Sequence, residues 1–526
     1  MKYTLEKKRK KGRKKVKKLI YGIGILSLII ITILNVIITA KLDLGEHITI
    51  QYHSVLRIVF LVLLGIGIYG LSNKINEKLN DKDSKKKKKV RKWLFVLGIL
   101  IYLFGNIMWV AKVTPNVVGD SVHVCNLAQV FYRENETQLL SNLTYAGISL
   151  KDYMQAYPQQ ISLAFVFHVV FRIIHTDVME ILRGLNILGN MAIVMAVYLI
   201  GKHLANKYKT NKVLLLTLIL TFVSLPMLAT FIYGDIPSIA LCLFSVYFMM
   251  KYRETKQIRY VVGASTFTMI AYMMRMNSLI FVIATVMYLL LAVWQELKQS
   301  SGKENTIKIA IIVLYVMISI LPASLVKNYY FAQYELDKSK TYPNISYLLM
   351  GMEESPRASG WYSEEIAQKA LQNPQEITEE YKEKIKERIT YFSKNLGEMA
   401  QFYYHKIGSM WTETTYSVGM NNNIEENDRL RGVAFYQKAL VILIGGSSII
   451  VLIQNRKKMS LDVLFLITIF IGGFTFHLLW EAKSRYILPY LLVLIPVASI
   501  QIQKFRSKKK QITEEKQERK EILESK

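Results

Sequence analysis

Tyr157-Pro-Gln-Gln-Ile-Ser-Leu-Ala-Phe-Val-Phe-His-Val-Val-Phe-Arg-Ile-Ile-His175 is the stretch on which the topology of this 526-residue chain turns. Its apolar part, Ile161–Ile174, is rich in Phe, Val and Ile and invites reading as a membrane span. It is nonetheless shorter than the roughly 20 residues a spanning helix needs. It also carries His168 and Arg172, ends at His175 and begins behind a proline, so the expected structure is a helix lying along the membrane surface.

The rest of the chain supports that choice. Apolar residues make up 52% of the sequence, concentrated in runs long enough to cross a bilayer. Twelve spans are expected: Leu19–Ala40, Val55–Leu71, Trp93–Val113, Ile181–Gly201, Val213–Ile232, Ile236–Lys251, Ile258–Met274, Ser278–Leu297, Ile307–Tyr329, Val433–Ile453, Leu461–Trp480 and Tyr486–Ile500. Lysine and arginine collect in Lys7–Lys18, Lys85–Lys92, Lys202–Lys212, Lys251–Arg259, Lys298–Lys308, Arg456–Lys458 and Lys504–Lys510. Positive loops stay on the cytoplasmic side, so all of these must share one face. Counting Ile161–Ile174 as a further span would move Lys202–Lys212 to the other face. The sequence therefore reads as an all-α polytopic membrane protein with both termini cytoplasmic.

This topology divides the chain into a basic N-terminus with two helices (1–92), a helical core (93–330) with a large outer loop (114–180), an outer helical lid (331–432), C-terminal spans (433–503) and a charged cytoplasmic tail (504–526). The net charge of +29 sits mostly in cytoplasmic loops and termini, which face anionic lipid headgroups and give no reason to expect a nucleic-acid partner. Cys125 lies in the outer loop and Cys242 within a span, so no disulfide is expected. In the lid, Tyr403, Tyr404, His405, Lys406 and Trp411 mix aromatic and basic groups, which suits headgroup anchoring or stacking on a sugar ring.

A set of polar residues gathers at outer helix ends: Asp120 in Pro115-Asn-Val-Val-Gly-Asp-Ser-Val-His123, Tyr157-Pro158, Asp235 in Gly234-Asp-Ile-Pro237, Arg275 in Met273-Met-Arg-Met-Asn277, and Arg485 in Arg485-Tyr-Ile-Leu-Pro489. In their order and sidedness these motifs resemble the GT-C superfamily of polytopic glycosyltransferases, especially the protein O-mannosyltransferase and aminoarabinose-transferase branch. The resemblance runs from about Trp93 to Ile500 and includes Leu182-Arg183-Gly-Leu, similar to the Arg-Leu-rich span of that family. It implies a GT-C-like fold and transfer of a sugar from a polyprenyl-phosphate donor to a cell-envelope acceptor: wall polysaccharide, teichoic acid, glycolipid or protein. Two departures stand out. Two extra spans precede the core, and Ser121 follows Asp120 where protein mannosyltransferases carry a second acid, which weighs against a protein hydroxyl as acceptor.

On this resemblance Asp120 is the expected general base, with a helix N-cap before Ser121–Arg133 as its competing role, worth about 1 kcal/mol. Arg275, Arg485 and Tyr486 are expected to hold the donor phosphate, because guanidinium groups bind phosphate through paired charge-assisted bonds. Asp235, His123 and Tyr157 are expected to orient the site or the acceptor, and His477, Glu481 and Glu353-Glu354 are weaker candidates. No cofactor is required and no metal site is expected, although Asp120 with Asp235 would be the pair to hold a divalent cation. Two other classes fit the topology: a transporter or flippase of lipid-linked saccharides, and a noncatalytic envelope-assembly scaffold. A transporter would carry its polar site near the bilayer midplane and show internal repeats, and no repeat is visible.

Overall fold

The computed structural model describes residues 2–79, 85–113, 115–134, 137–296, 301–456 and 458–502. The tail expected at 504–526 and the start of the Lys298–Lys308 loop lie outside them. Among the described residues the chain is helical apart from two antiparallel hairpins, Ile38–Leu42 with Ile48–Tyr52, and Thr144–Tyr145 with Ile148–Ser149. Nine helices among the described residues are long and apolar enough to cross a membrane: Lys15–Ile37, Val55–Leu79, Lys89–Lys112, Met179–Leu204, Lys212–Thr230, Met276–Glu296, Gly302–Gln333, Asp428–Asn455 and Leu461–Leu479. Polar residues placed just ahead of apolar runs set several helix starts. The side chains of Asn211, Ser301, Asn427 and Ser460 each accept a hydrogen bond from the backbone N–H three residues on.

Three of the twelve expected spans look different. Asp235–Thr255 and Ile258–Met274 are helices of 21 and 17 residues that fall short of the other nine in length or apolarity. The stretch expected as Tyr486–Ile500 breaks into Ser484–Ile487, Leu488–Leu492 and Ile495–Ala498. Pro489 and Pro496 cause the breaks, since each lacks the N–H that would continue the preceding helix. The segment that posed the topological question is also broken. Leu150–Ala156 and Pro158–Ile174 meet at 119°, with Tyr157 between them at φ −122°, ψ 63° and Pro158 opening the second helix. Pro158–Ile174 packs against Asp120–Arg133, burying Phe167 and Phe171 in their shared core.

Opposite ends of the helices do different things. At one end, the buried Asp462 accepts hydrogen bonds from Lys207 Nζ (2.6 Å), Arg253 Nη1 (2.9 Å) and Tyr288 Oη (2.7 Å), tying three helices to the turn that follows Met179–Leu204. At the other end lie the lid helices Ile345–Met350, Glu364–Gln372, Glu376–Lys394 and Leu396–Trp411, which share their own core around Leu349, Tyr381, Phe392 and Phe402.

Two of the five lid residues expected to anchor in headgroups or stack on a sugar do otherwise. Trp411 is buried against Phe470 and Phe474, and Lys406 is wholly buried. Lys406 Nζ donates to the carbonyls of Gly351, Leu478 (2.9 Å) and Trp480 (2.9 Å), so all three ammonium hydrogens have partners and the lid is clamped to the end of the Leu461–Leu479 helix. Lys406→Met would strand three carbonyls, and each unpaired buried group costs about 1–3 kcal/mol. The expected loss is about 3 kcal/mol or more, read as a lower thermal unfolding midpoint in detergent; an unchanged midpoint would show that the clamp contributes nothing.

Candidate active site

Two Gly-Asp pairs build the site. Gly119 (φ 58°) precedes the helix Asp120–Arg133, and Gly234 (φ 75°) precedes Asp235–Thr255. In both cases the glycine takes the capping position in a conformation disfavoured for other residues, and the aspartate becomes the first residue of the helix. A Cβ on Gly234 would also meet Leu163 Cδ1 at 2.8 Å, so any other residue there would displace the leucine tip besides straining the backbone. Asp120 is therefore not the N-cap that the sequence left open.

The Asp120 carboxylate is exposed, and its Oδ2 accepts a hydrogen bond from Tyr233 Oη at 2.9 Å. Tyr233 Oη in turn accepts one from Gln160 Nε2 at 2.6 Å. Burial, followed by the nearby Asp120 charge, raises the Tyr233 phenol well above its ordinary pKa, so the phenol keeps its proton and is the donor to Asp120. Asp120 Oδ1 has no protein partner among the described residues.

Arg275 Nε lies 3.2 Å from Asp235 Oδ1, and its guanidinium carbon is 4.5 Å from the centre of the Tyr233 ring and 5.6 Å from that of Tyr486. Arg485 is 7% exposed and contacts the rings of Phe231 (4.9 Å), Tyr486 (5.4 Å) and Tyr233 (5.8 Å). Among the described residues it makes no ion pair, and its Nε has no hydrogen-bond partner. It is a nearly buried cation held by aromatic faces with its fork free for an anion.

These groups open onto one cavity of about 1410 Å³, lined by Asp120, Tyr157, Arg275, Arg485 and Tyr486 among others. Five of the seven residues expected from sequence thus meet in a single space. Asp235 stands beside it, with Arg275 and Arg485, around a smaller recess. His123 does not face the cavity. One helical turn beyond Asp120 its ring is buried and stacks on Tyr153 at 4.2 Å, and burial lowers its pKa, so it packs as a neutral ring. Of the weaker candidates, Glu481 lines the cavity, and burial raises its carboxyl pKa.

The sequence reading missed Tyr233, Glu46, Arg357 and Lys483, all of which line the cavity. Tyr233 carries a local signal, since it directly precedes Gly234-Asp235; the other three come from distant loops. No group of three or more His, Cys, Asp or Glu side chains could hold a metal among the described residues. Asp120 is engaged through Oδ2 by Tyr233 and Asp235 through Oδ1 by Arg275, and the buried Asp235 Oδ2 has no hydrogen-bond partner among the described residues.

Residues 160–322 match the family model described as dolichyl-phosphate-mannose-protein mannosyltransferase. The likeness to the GT-C superfamily stands. The matched segment contains Gln160, Tyr233, Asp235 and Arg275, while Asp120 and Arg485 lie on either side of it. Two solved structures are similar at a lower level. The archaeal oligosaccharyltransferase AglB of Archaeoglobus fulgidus, in complex with an inhibitory peptide and a dolichol-phosphate, shares 11% identity over 78% of this chain and 50% of its own, with a TM-score of 0.42. The oligosaccharyltransferase of the same organism, tethered to an acceptor peptide containing the NVT sequon through a disulfide bond, shares 12% identity over 78% of this chain and 49% of its own, also with a TM-score of 0.42. The chain spans about half the length of these two proteins. No curated protein matches it.

Proposed function

We propose that the protein is a membrane glycosyltransferase that takes a sugar from a polyprenyl-phosphate carrier and transfers it to a cell-envelope acceptor on the outer face of the membrane. The observation that carries this reading is the pairing, across one cavity, of an exposed carboxylate with a free oxygen and a nearly buried guanidinium with no anionic partner. Displacement at an anomeric carbon needs those two parts: a base for the acceptor hydroxyl and positive charge for the departing phosphate. The family match over Gln160–Pro322 agrees with it.

The acceptor hydroxyl gives its proton to Asp120 Oδ1 as its oxygen bonds to the anomeric carbon. The bond from that carbon to the phosphate oxygen breaks, and the phosphate leaves with the electron pair toward Arg485 and Arg275. A single displacement of this kind inverts the anomeric centre. Tyr233 fixes the carboxylate, and Asp235 fixes Arg275. The lysine-rich loops orient this end of the helices away from the cytoplasm by the positive-inside rule. The experiment is release of polyprenyl phosphate from a panel of polyprenyl-phosphate sugars by the purified protein in lipid, supplied with envelope extract. Turnover with one donor identifies the sugar. Failure with every donor, in protein that also fails to bind polyprenyl phosphate, would sink the reading and favour a scaffold.

A further inference from the structure

The hairpin contributed by the two extra N-terminal helices plays no part in the chemistry above, yet its tip forms part of the cavity wall. Leu42 pairs with Ile48, and the five residues between them, Asp43 to His47, make a tight turn. Asp43 N–H donates to His47 O at 3.1 Å, Glu46 N–H to Asp43 O at 3.2 Å, and His47 N–H to Asp43 Oδ1 at 2.8 Å. The turn holds Glu46 at φ 66°, a conformation a non-glycine residue seldom takes. The strands are pinned to the body. Ala40 N–H donates to Thr412 Oγ1 (2.9 Å), Lys438 Nζ donates to Ile38 O (3.0 Å), and Ile48 N–H donates to Arg357 O (2.9 Å). Glu46 is therefore presented from a fixed frame.

Its carboxylate ion-pairs with Arg357 and, at 3.0 Å, with Lys483 Nζ. Both cations line the cavity and share the Tyr362 ring, Arg357 at 4.7 Å and Lys483 at 6.0 Å from its centre. The nearest other carboxylate is Glu481, 4.0 Å from Lys483, where burial raises its pKa and Lys483, Arg485 and Arg357 lower it. Each cation holds a single oxygen of Glu46, so the guanidinium and the ammonium both keep donors for an incoming anion. The cavity is also larger than the usual 300–1,000 Å³ of a small-ligand site, so it has space for a second anionic group besides the one offered to Arg485.

We infer that Arg357 and Lys483 form a second anion subsite for a phosphate-bearing ligand, and that the Glu46 carboxylate of the N-terminal hairpin occupies it in competition with that ligand. The inference rests on the proposed sugar transfer only for which ligand arrives: a phosphodiester acceptor chain or the phosphate of the donor lipid. Glu46 acts as a specificity residue, because a neutral ligand gains nothing by displacing it, whereas a phosphate replaces one ion pair with another.

The test is binding to the full chain in phosphatidylcholine nanodiscs, which contain no anionic lipid. One titrant is a short poly(glycerol phosphate) oligomer, another is undecaprenyl phosphate, and a neutral oligosaccharide serves as control. Glu46→Gln is expected to bind the oligomer about tenfold more tightly than wild type, one decade being the scale of a single competing charged contact. Arg357→Gln is expected to bind it about tenfold less tightly, and the neutral control should not respond to either change. The same pattern with undecaprenyl phosphate, rather than the oligomer, supports the subsite and assigns it to the donor. If Glu46→Gln does not fold, Glu46→Asp withdraws the carboxylate by one methylene and should tighten binding in the same direction. Equal or weaker binding of both phosphate ligands by a folded Glu46 variant overturns the inference. Failure of the transfer reading shows separately, as no turnover with any donor and no binding of undecaprenyl phosphate, and leaves the oligomer titration interpretable.

Discussion

Asp120→Asn is expected to lower the rate of sugar transfer by about 10³-fold, within the range for loss of a general base, while leaving the affinity for the polyprenyl-phosphate donor unchanged. The substitution is nearly isosteric, and its amide oxygen still accepts the hydrogen bond that Tyr233 donates at 2.9 Å. The cost to the fold is limited to a negative charge at the start of the Asp120–Arg133 helix, worth about 0.3–1 kcal/mol. What disappears is the basic lone pair on Oδ1, which the protein leaves free. Tyr233→Phe is a useful companion, because it removes the hydrogen bond but keeps the base, so its loss in rate should be much smaller. The readout is released polyprenyl phosphate under saturating donor. Wild-type turnover by Asp120→Asn would take Asp120 out of the mechanism and leave it as a helix-start anion that happens to face the cavity.

How much of this site the sequence discloses depends on how local each signal is. Asp120 and Asp235 are legible because each follows a glycine at the start of a helix, and such turns bring the first residue of a helix to its end, where a site can form. Tyr157-Pro158 is legible as a break because proline removes a donor and restricts the residue before it. Arg275 and Arg485 stand out as arginines at the ends of apolar runs at the same end of the helices. His123 misleads, since a spacing of three residues from Asp120 puts it on the helix face that packs against Tyr153. Lys406 and Trp411 mislead for a related reason: their composition suits a surface, but three carbonyls and two phenylalanine rings draw them inside. Glu46, Arg357 and Lys483 leave no local trace at all. They are more than a hundred residues apart along the chain and meet only because the hairpin folds back over the lid. The break-up of the last expected span was foreshadowed by Pro489 and Pro496, which a count of apolar residues passes over.

Arg485→Ala is expected to reduce kcat/KM by about 10²–10³-fold, the scale for removing one preorganised group that stabilises a leaving charge. Part of that loss should appear as weaker binding of undecaprenyl phosphate, about 10- to 100-fold, because one charge-assisted hydrogen bond contributes about 1.5–3 kcal/mol. Arg485 is the informative arginine of the two. Removing Arg275 also strands Asp235, its partner at 3.2 Å, so Arg275→Ala mixes lost binding with a damaged fold. Arg485 makes no ion pair among the described residues; aromatic faces lose a neighbour when it is shortened, and the buried Glu481, which also feels its charge, keeps Lys483 and Arg357. Its fold should survive and its deficit should belong to the ligand. Arg485→Lys separates charge from shape: a lysine restores a positive charge but not the planar fork, so it should recover binding more than rate. An Arg485→Ala protein that binds undecaprenyl phosphate as wild type does would mean that the free guanidinium serves another anion, and the donor phosphate would then have to be sought at Arg357 and Lys483, where the hairpin carboxylate now sits.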